Sequence, residues 1–293
     1  ILSCVMMCGT LTAQKDSSKL IFHDTWLVPF LNVTGSENVD FESIQKSAKN
    51  SDEIKEPTNF QNYFKSPASR TTNVNAGISL GFGFKLRNAK RKCMKNSVFR
   101  FSANYVKMDL MRSDYGVDST KWVGAIGFGG IPGAHGFSII EHKNHYVNYS
   151  YSSSIIYAEA SHLFTTNQSK IISAYVGYSV GVGGSISSEI QESNYYSRYL
   201  SDAEDDPDEV RYRDDLESKW ETKTYKAKGG VLLNVGMPTG VQVRLSKKRK
   251  TMGKFYLGIE TIPKMTFFFI NGEVVSRPQI NVPMTPFIRY RFN

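Results

Sequence analysis

Apolar and polar residues alternate with a period of two across residues 72–86. Val74, Ala76, Ile78, Leu80, Phe82, Phe84 and Leu86 fall on one face, and Asn73, Asn75, Gly77, Ser79, Gly81, Gly83 and Lys85 on the other. Such a period belongs to a β-strand and cannot lie on a helix face. A strand of a soluble sandwich needs only about 5–6 residues. A tilted strand crossing a bilayer needs about 9–11, with lipid on one side and a polar interior on the other.

The same alternation recurs along the chain. Residues 20–30 carry Leu20, Phe22, Trp26, Val28 and Phe30 at even spacing, interrupted by Asp24. Residues 97–111 set Phe99, Phe101, Ala103 and Tyr105 against Arg100, Ser102 and Asn104. Residues 144–161 hold Val147, Tyr149, Tyr151, Ile155 and Tyr157 in register, and a bulge is expected to turn Glu159 inward. A fifth strand sets Ile172, Ala174, Val176, Tyr178, Val180 and Val182 against Ser173, Gly177, Ser179, Gly181 and Gly183.

Odd positions stay apolar or small on both sides of Pro238, from Ala227 to Leu245, which predicts one kinked strand over 222–246 rather than a hairpin. Strands at 254–270 and 284–292 complete a count of eight, with ten as the alternative. Long connections (31–71, with a short helix near 41–49, then 113–143 and 188–219) alternate with short ones (88–96, 163–169, 247–252). That alternation fits a closed up-and-down antiparallel barrel with long extracellular loops, short periplasmic turns and both termini periplasmic. Val74, Leu80, Val176 and Phe267 should then line the outer wall.

Residues 1–14 are uncharged and mostly apolar, and they predict the remnant of a secretory signal cut near Ala13 or Gln14, with a single barrel domain over 15–293. A buried first strand, or acylation at Leu2-Ser3-Cys4, is the weaker reading of that stretch. Beyond it Cys93 stands alone, so no intrachain disulfide is expected. No run of about 18 apolar residues offers a transmembrane helix.

The Gly-punctuated strands (GISLGFGF, AYVGYSVGVGG), the leader ending in Thr-Ala-Gln and the closing residues from Pro286 to Asn293 resemble the small outer-membrane β-barrel family of Bacteroidota, including its PorT-like members. Tyr157-Ala158-Glu159 resembles that family's Tyr-Leu-Glu strand, with Ala in place of Leu. Phe292 resembles the C-terminal signal read by barrel-assembly machinery, although Asn293 follows it. The resemblance implies a barrel embedded in the outer membrane of a Gram-negative bacterium, with outer-membrane lipid as its surroundings and an anchoring, binding or scaffold role, including membership of a secretion-associated complex.

An eight-stranded barrel is filled by its own side chains. The inward positions hold Arg100, Glu159, Arg244, Glu260, Lys264, Arg289 and Arg291, expected to neutralise one another or meet water. A narrow channel is the alternative. For a membrane-embedded hydrolase acting on lipid or peptide, the candidates are Glu141, His142 and His145, but on a strand the two His point to opposite faces and make a poor metal pair. No phosphate loop, nucleophile elbow or Cys-pair metal motif is present, so no cofactor or metal is expected.

Charge is segregated along the chain. Asp202, Glu204, Asp205, Asp206, Asp208 and Glu209 form an acidic loop suited to divalent cations, followed by Asp214, Asp215 and Glu217. The short connections are basic, with Lys85, Arg87, Lys90, Arg91, Lys92 and Lys95 in one and Lys247, Lys248, Arg249, Lys250 and Lys254 in another. In the periplasm such surfaces suit an acidic protein partner or phospholipid headgroups rather than nucleic acid.

Overall fold

The computed structural model describes residues 20–35, 37–57, 72–86, 96–126, 137–166, 171–202, 213–246, 251–270, 273–274, 279–281 and 284–292. Residues 1–14 (expected to be a signal remnant), Cys93, Arg87 and the basic runs at 90–95 and 247–250 lie outside the described residues. So do acidic-loop members Glu204, Asp205, Asp206, Asp208 and Glu209 and the side chain of Asp202.

The described residues are almost all strand: β1 (Leu20–Gly35), β2 (Glu37–Asn38), β3 (Thr72–Leu86), β4 (Ser97–Ile126), β5 (Phe137–Thr165), β6 (Ile172–Asp202), β7 (Arg213–Lys226), β8 (Val231–Gly236), β9 (Thr239–Arg244), β10 (Phe255–Thr261), β11 (Lys264–Ile270), β12 (Glu273–Val274), β13 (Gln279–Asn281) and β14 (Met284–Arg291). One sheet runs β6-β5-β4-β3-β1-β14-β10-β9, and β9 pairs back onto β6, closing a ring of antiparallel neighbours. β8 continues β9 along β6, and β11 continues β10, so the ring has eight walls, as the pattern predicts.

The wall through Pro238 is one kinked strand. Both halves pair with β6, Val235 with Val180 and Thr239 with Val176. The adjacent wall breaks at Pro263, whose carbonyl accepts from Met237 N at 3.0 Å, so the two prolines bend neighbouring walls at one height.

Outward positions on the ring are apolar. Leu80 and Val176 are exposed, Phe267 is half-buried on the same outward face, and the side chain of Val74 lies outside the described set. Glycines on the inner face make room for large neighbours. A Cβ on Gly81 would sit 2.0 Å from the Trp26 ring, and one on Gly83 would sit 2.1 Å from Asp24 Oδ1.

Three expectations need correction. In β1 a bulge at His23 shifts the register, so Asp24, Trp26, Val28 and Phe30 face inward and Leu27 and Leu31 outward. In β5 no bulge is needed to bury Glu159. Val147, Tyr149, Tyr151, Ile155 and Tyr157 are themselves inward, and Glu159 continues their parity.

The third correction concerns the long loops at 113–143 and 188–219. Their described parts are strand, because β4, β5 and β6 run on for 30, 29 and 31 residues. With β7 they form a four-stranded blade standing above the ring. The 14 residues of β7 give this blade roughly 45 Å of length. Likewise, residues 31–35 of the first expected loop belong to β1.

Where ring becomes blade, extra residues at Leu110 in β4 and Ile186 in β6, and a break at 227–230 between β7 and β8, reverse the in–out parity of those strands. A cap segment fills this mouth. It is built on α1 (Phe41–Ser47), which Asp40 caps by accepting from Ser43 N at 2.9 Å. Phe41, Ile44 and Ile54 enter a core with Met108, Met111, Tyr149, Tyr151 and Ile190. β2 pairs with β4 at Met111, and Ala48 bridges Ala227 after β7, so the cap joins the two edges of the blade's base.

Candidate functional site: the lumen and the blade

Inside the ring, alternation delivers one side chain per two residues to the lumen, and the polar ones assemble into two groups. In the first, Arg100 pairs with Glu260, which also accepts from the Tyr175 hydroxyl. The Arg100 guanidinium lies over Trp26 at 5.0 Å and over Tyr175 at 4.8 Å. Arg289 approaches Asp24 at 3.7 Å and donates to Gln242 Oε1 at 2.9 Å. Asp24 also meets His23 Nδ1 at 2.8 Å. In the second group, Lys264 pairs with Glu159 and donates to the Tyr157 hydroxyl at 3.5 Å.

Three deep acids (Asp24, Glu159, Glu260) thus face three deep bases (Arg100, Lys264, Arg289), and mutual pairing offsets the cost of taking each out of water. Arg244 and Arg291 occupy the rim. Arg291 donates to the Tyr256 hydroxyl at 2.6 Å, and Arg244 donates to the Gly253 carbonyl at 2.7 Å. All seven charges expected inside are therefore on the inner side of the wall.

Between the groups lies a cavity of about 70 Å³, bordered by Arg100, Asn104, Glu159, Asn234, Lys264 and Arg289. Arg100 Nε and Nη2 and Asn234 Oδ1 find no protein partner there. A polar space of that size suits a few bridging waters. The cap core closes it above.

Asp24, His23 and Gln242 belong to this network and Asn234 borders its cavity, and the alternation of the sequence does not point to these four. Asp24 did leave a signal: it is the charged residue that interrupts an otherwise alternating first strand.

Glu141, His142 and His145 lie on β5 in the blade and do not converge. His142 shares a hydrogen bond of 2.7 Å with Ser201 Oγ and stacks on Tyr199. His145 is on the opposite face, 2.5 Å from Asn194 Oδ1, in a shallow hollow of about 170 Å³ with Tyr196, Lys219 and Glu221. Glu141 pairs with Arg198, whose hydrogen bond holds its carboxyl below the usual range, and with Lys143 at 3.4 Å. Among the described residues no group of three or more His, Cys, Asp and Glu is placed to hold a metal.

No helix among the described residues is long and apolar enough to cross a membrane, which leaves crossing by strands unaddressed. No protein-family model matches the chain, and neither a curated protein nor a solved structure matches it.

Proposed function

We propose that the chain is an integral outer-membrane β-barrel of a Gram-negative bacterium, non-enzymatic, which anchors the four-stranded blade at the cell surface as a binding scaffold. The observation that carries this reading is the inversion of the ring. Leu27, Leu80, Phe101, Ile156, Val180, Val235, Ile259 and Ile288 supply exposed apolar side chains from all eight walls, while the lumen holds six paired charges. Water would not tolerate such a belt at this extent, and lipid would.

An aromatic rim supports the same placement. Phe22, Phe84, Phe292, Tyr290 and Phe255 contact one another at the end opposite the blade, with Phe22 and Phe292 4.8 Å apart. A girdle of this kind marks a membrane interface. On this reading that end and both termini are periplasmic. The Gly-punctuated strands support membership of the PorT-like barrels.

Fractionation tests the proposal. The protein should enter the outer-membrane fraction, resist carbonate extraction and migrate faster unboiled than boiled in SDS gels. Protease added to whole cells should clip the blade. Recovery as a soluble, detergent-independent protein would overturn the reading.

A further inference from the structure

The blade's outer face carries a chemistry of its own. Gly116, Tyr146, Tyr195 and Trp220 pair in direct register and form one row across all four strands. The Tyr146 and Tyr195 rings stack 6.3 Å apart at 17°, and Tyr195 meets Trp220 at 5.7 Å and 52°. Trp220 ends the row 66% exposed, its Nε1–H donating to Thr222 Oγ1 at 3.1 Å.

Each flanking row starts at an aspartate and continues in amides and hydroxyls: Asp114, Asn148, Ser193 and Thr222 on one side, with Asn148 donating to Asp114, and Asp118, Asn144, Ser197 and Ser218 on the other. The charged side chains here are occupied. Arg112 pairs with Asp114 at 2.8 Å, and Asp118 accepts from the Tyr146 hydroxyl at 2.7 Å. Across the same span the inner face carries Glu192, Lys219, Glu221 and Lys223, with Lys219 and Glu221 paired at 2.7 Å. Gly116 permits the row, since a Cβ there would come within 2.6 Å of the Tyr146 ring.

We propose that this outer face binds a neutral oligosaccharide. A sugar presents apolar C–H faces bordered by hydroxyls and brings no charge to desolvate. The row offers it aromatic surface at fixed positions, with the hydroxyls of Ser193 and Ser218 and the acceptor oxygens of Asp114 and Asp118 alongside. An anionic polymer would meet no cation among the described residues of these three rows, only Asp114 and Asp118, and the aliphatic core of a large protein interface is missing from the row. The inference does not depend on the bilayer placement, and its test reads binding in detergent, so the two can fail separately.

The test is affinity electrophoresis of the full-length, detergent-solubilised barrel in native gels containing dextran, mannan, xylan or laminarin, with alginate as the anionic comparator. At least one neutral polymer should retard the protein. Trp220→Ala and Tyr195→Ala should each weaken retardation about tenfold. Gly116→Val should weaken it with every aromatic retained, because Tyr146 is pushed out of line. Lys219→Ala with Glu221→Ala, on the opposite face, should leave it unchanged. Heat-modifiability of each variant establishes folding, and Gly116→Val carries the test if Trp220→Ala fails to fold. Retardation by alginate alone, by no neutral polymer, or equally with Trp220→Ala overturns the proposal. So does a dimer in light scattering that Trp220→Ala dissolves while no polymer binds.

Discussion

The ring and the blade are built from the same strands yet obey opposite rules. Along β5, Ile156, Ala158 and Ala160 face outward at the level of the ring. Further up that face come Ser150, Asn148 and Tyr146. Inside, the ring packs charge against charge, as Lys264 does against Glu159, whereas at the base of the blade Lys107 and Glu189 pair at 56% and 45% side-chain exposure. A continuous hydrogen-bonded ladder thus carries an apolar outer face at the ring and a polar one along the blade. Side-chain choice, not backbone, marks where one gives way to the other.

Unpairing a buried charge should distinguish the regions most sharply. Lys264→Met leaves Glu159 without its partner in the lumen and should cost about 3–5 kcal/mol in urea unfolding from detergent micelles. Lys107→Ala, which unpairs the blade's Glu189, should cost at most about 1 kcal/mol. Equal losses would erase the distinction. Next in size, Val180→Arg on the outer belt should cost about 2–4 kcal/mol in refolding into vesicles. Thr222→Lys on the blade should stay within about 0.5 kcal/mol.

A smaller effect should appear at the mouth. Asp40→Ala removes the cap of α1 and should cost about 1 kcal/mol, seen as faster hydrogen exchange confined to 41–47. The subtlest test is a titration. The hydrogen bond to Asp118, with burial second, pushes the Tyr146 hydroxyl from its ordinary value near 10 up to about 12. Its folded value is the raised one, so the stabilisation is complete below about pH 10 and fades as pH climbs through about 12. Absorbance at 295 nm should show a late-ionising tyrosine fraction that Asp118→Asn diminishes by one residue.

Legibility followed the same boundary. The ring is readable because outward and inward positions differ in polarity at every step, as in β3 from Ala76 to Phe84. Parity even carried through Pro238, because a kink leaves the in–out phase intact. The alternation rule predicts loop where the blade stands, for two physical reasons. Leu110, Ile186 and the break at 227–230 reverse the phase at its base, and above them both faces are polar, so no period survives. The interior charges could be assigned from parity alone. Their pairing could not, because Arg100 and Glu260 lie 160 positions apart and meet only when the ring closes. The aromatic row escaped notice for the same reason: Tyr146, Tyr195 and Trp220 become neighbours only through register.

The cap segment has a consequence for how the molecule comes together. It leaves the ribosome between the first two walls, but its seat is made of Met108, Met111, Tyr149, Ile190 and Ala227, contributed by strands synthesised much later. Its seating therefore rests on contacts between residues far apart in the chain, and it completes only once β4, β5, β6 and the turn after β7 are in place.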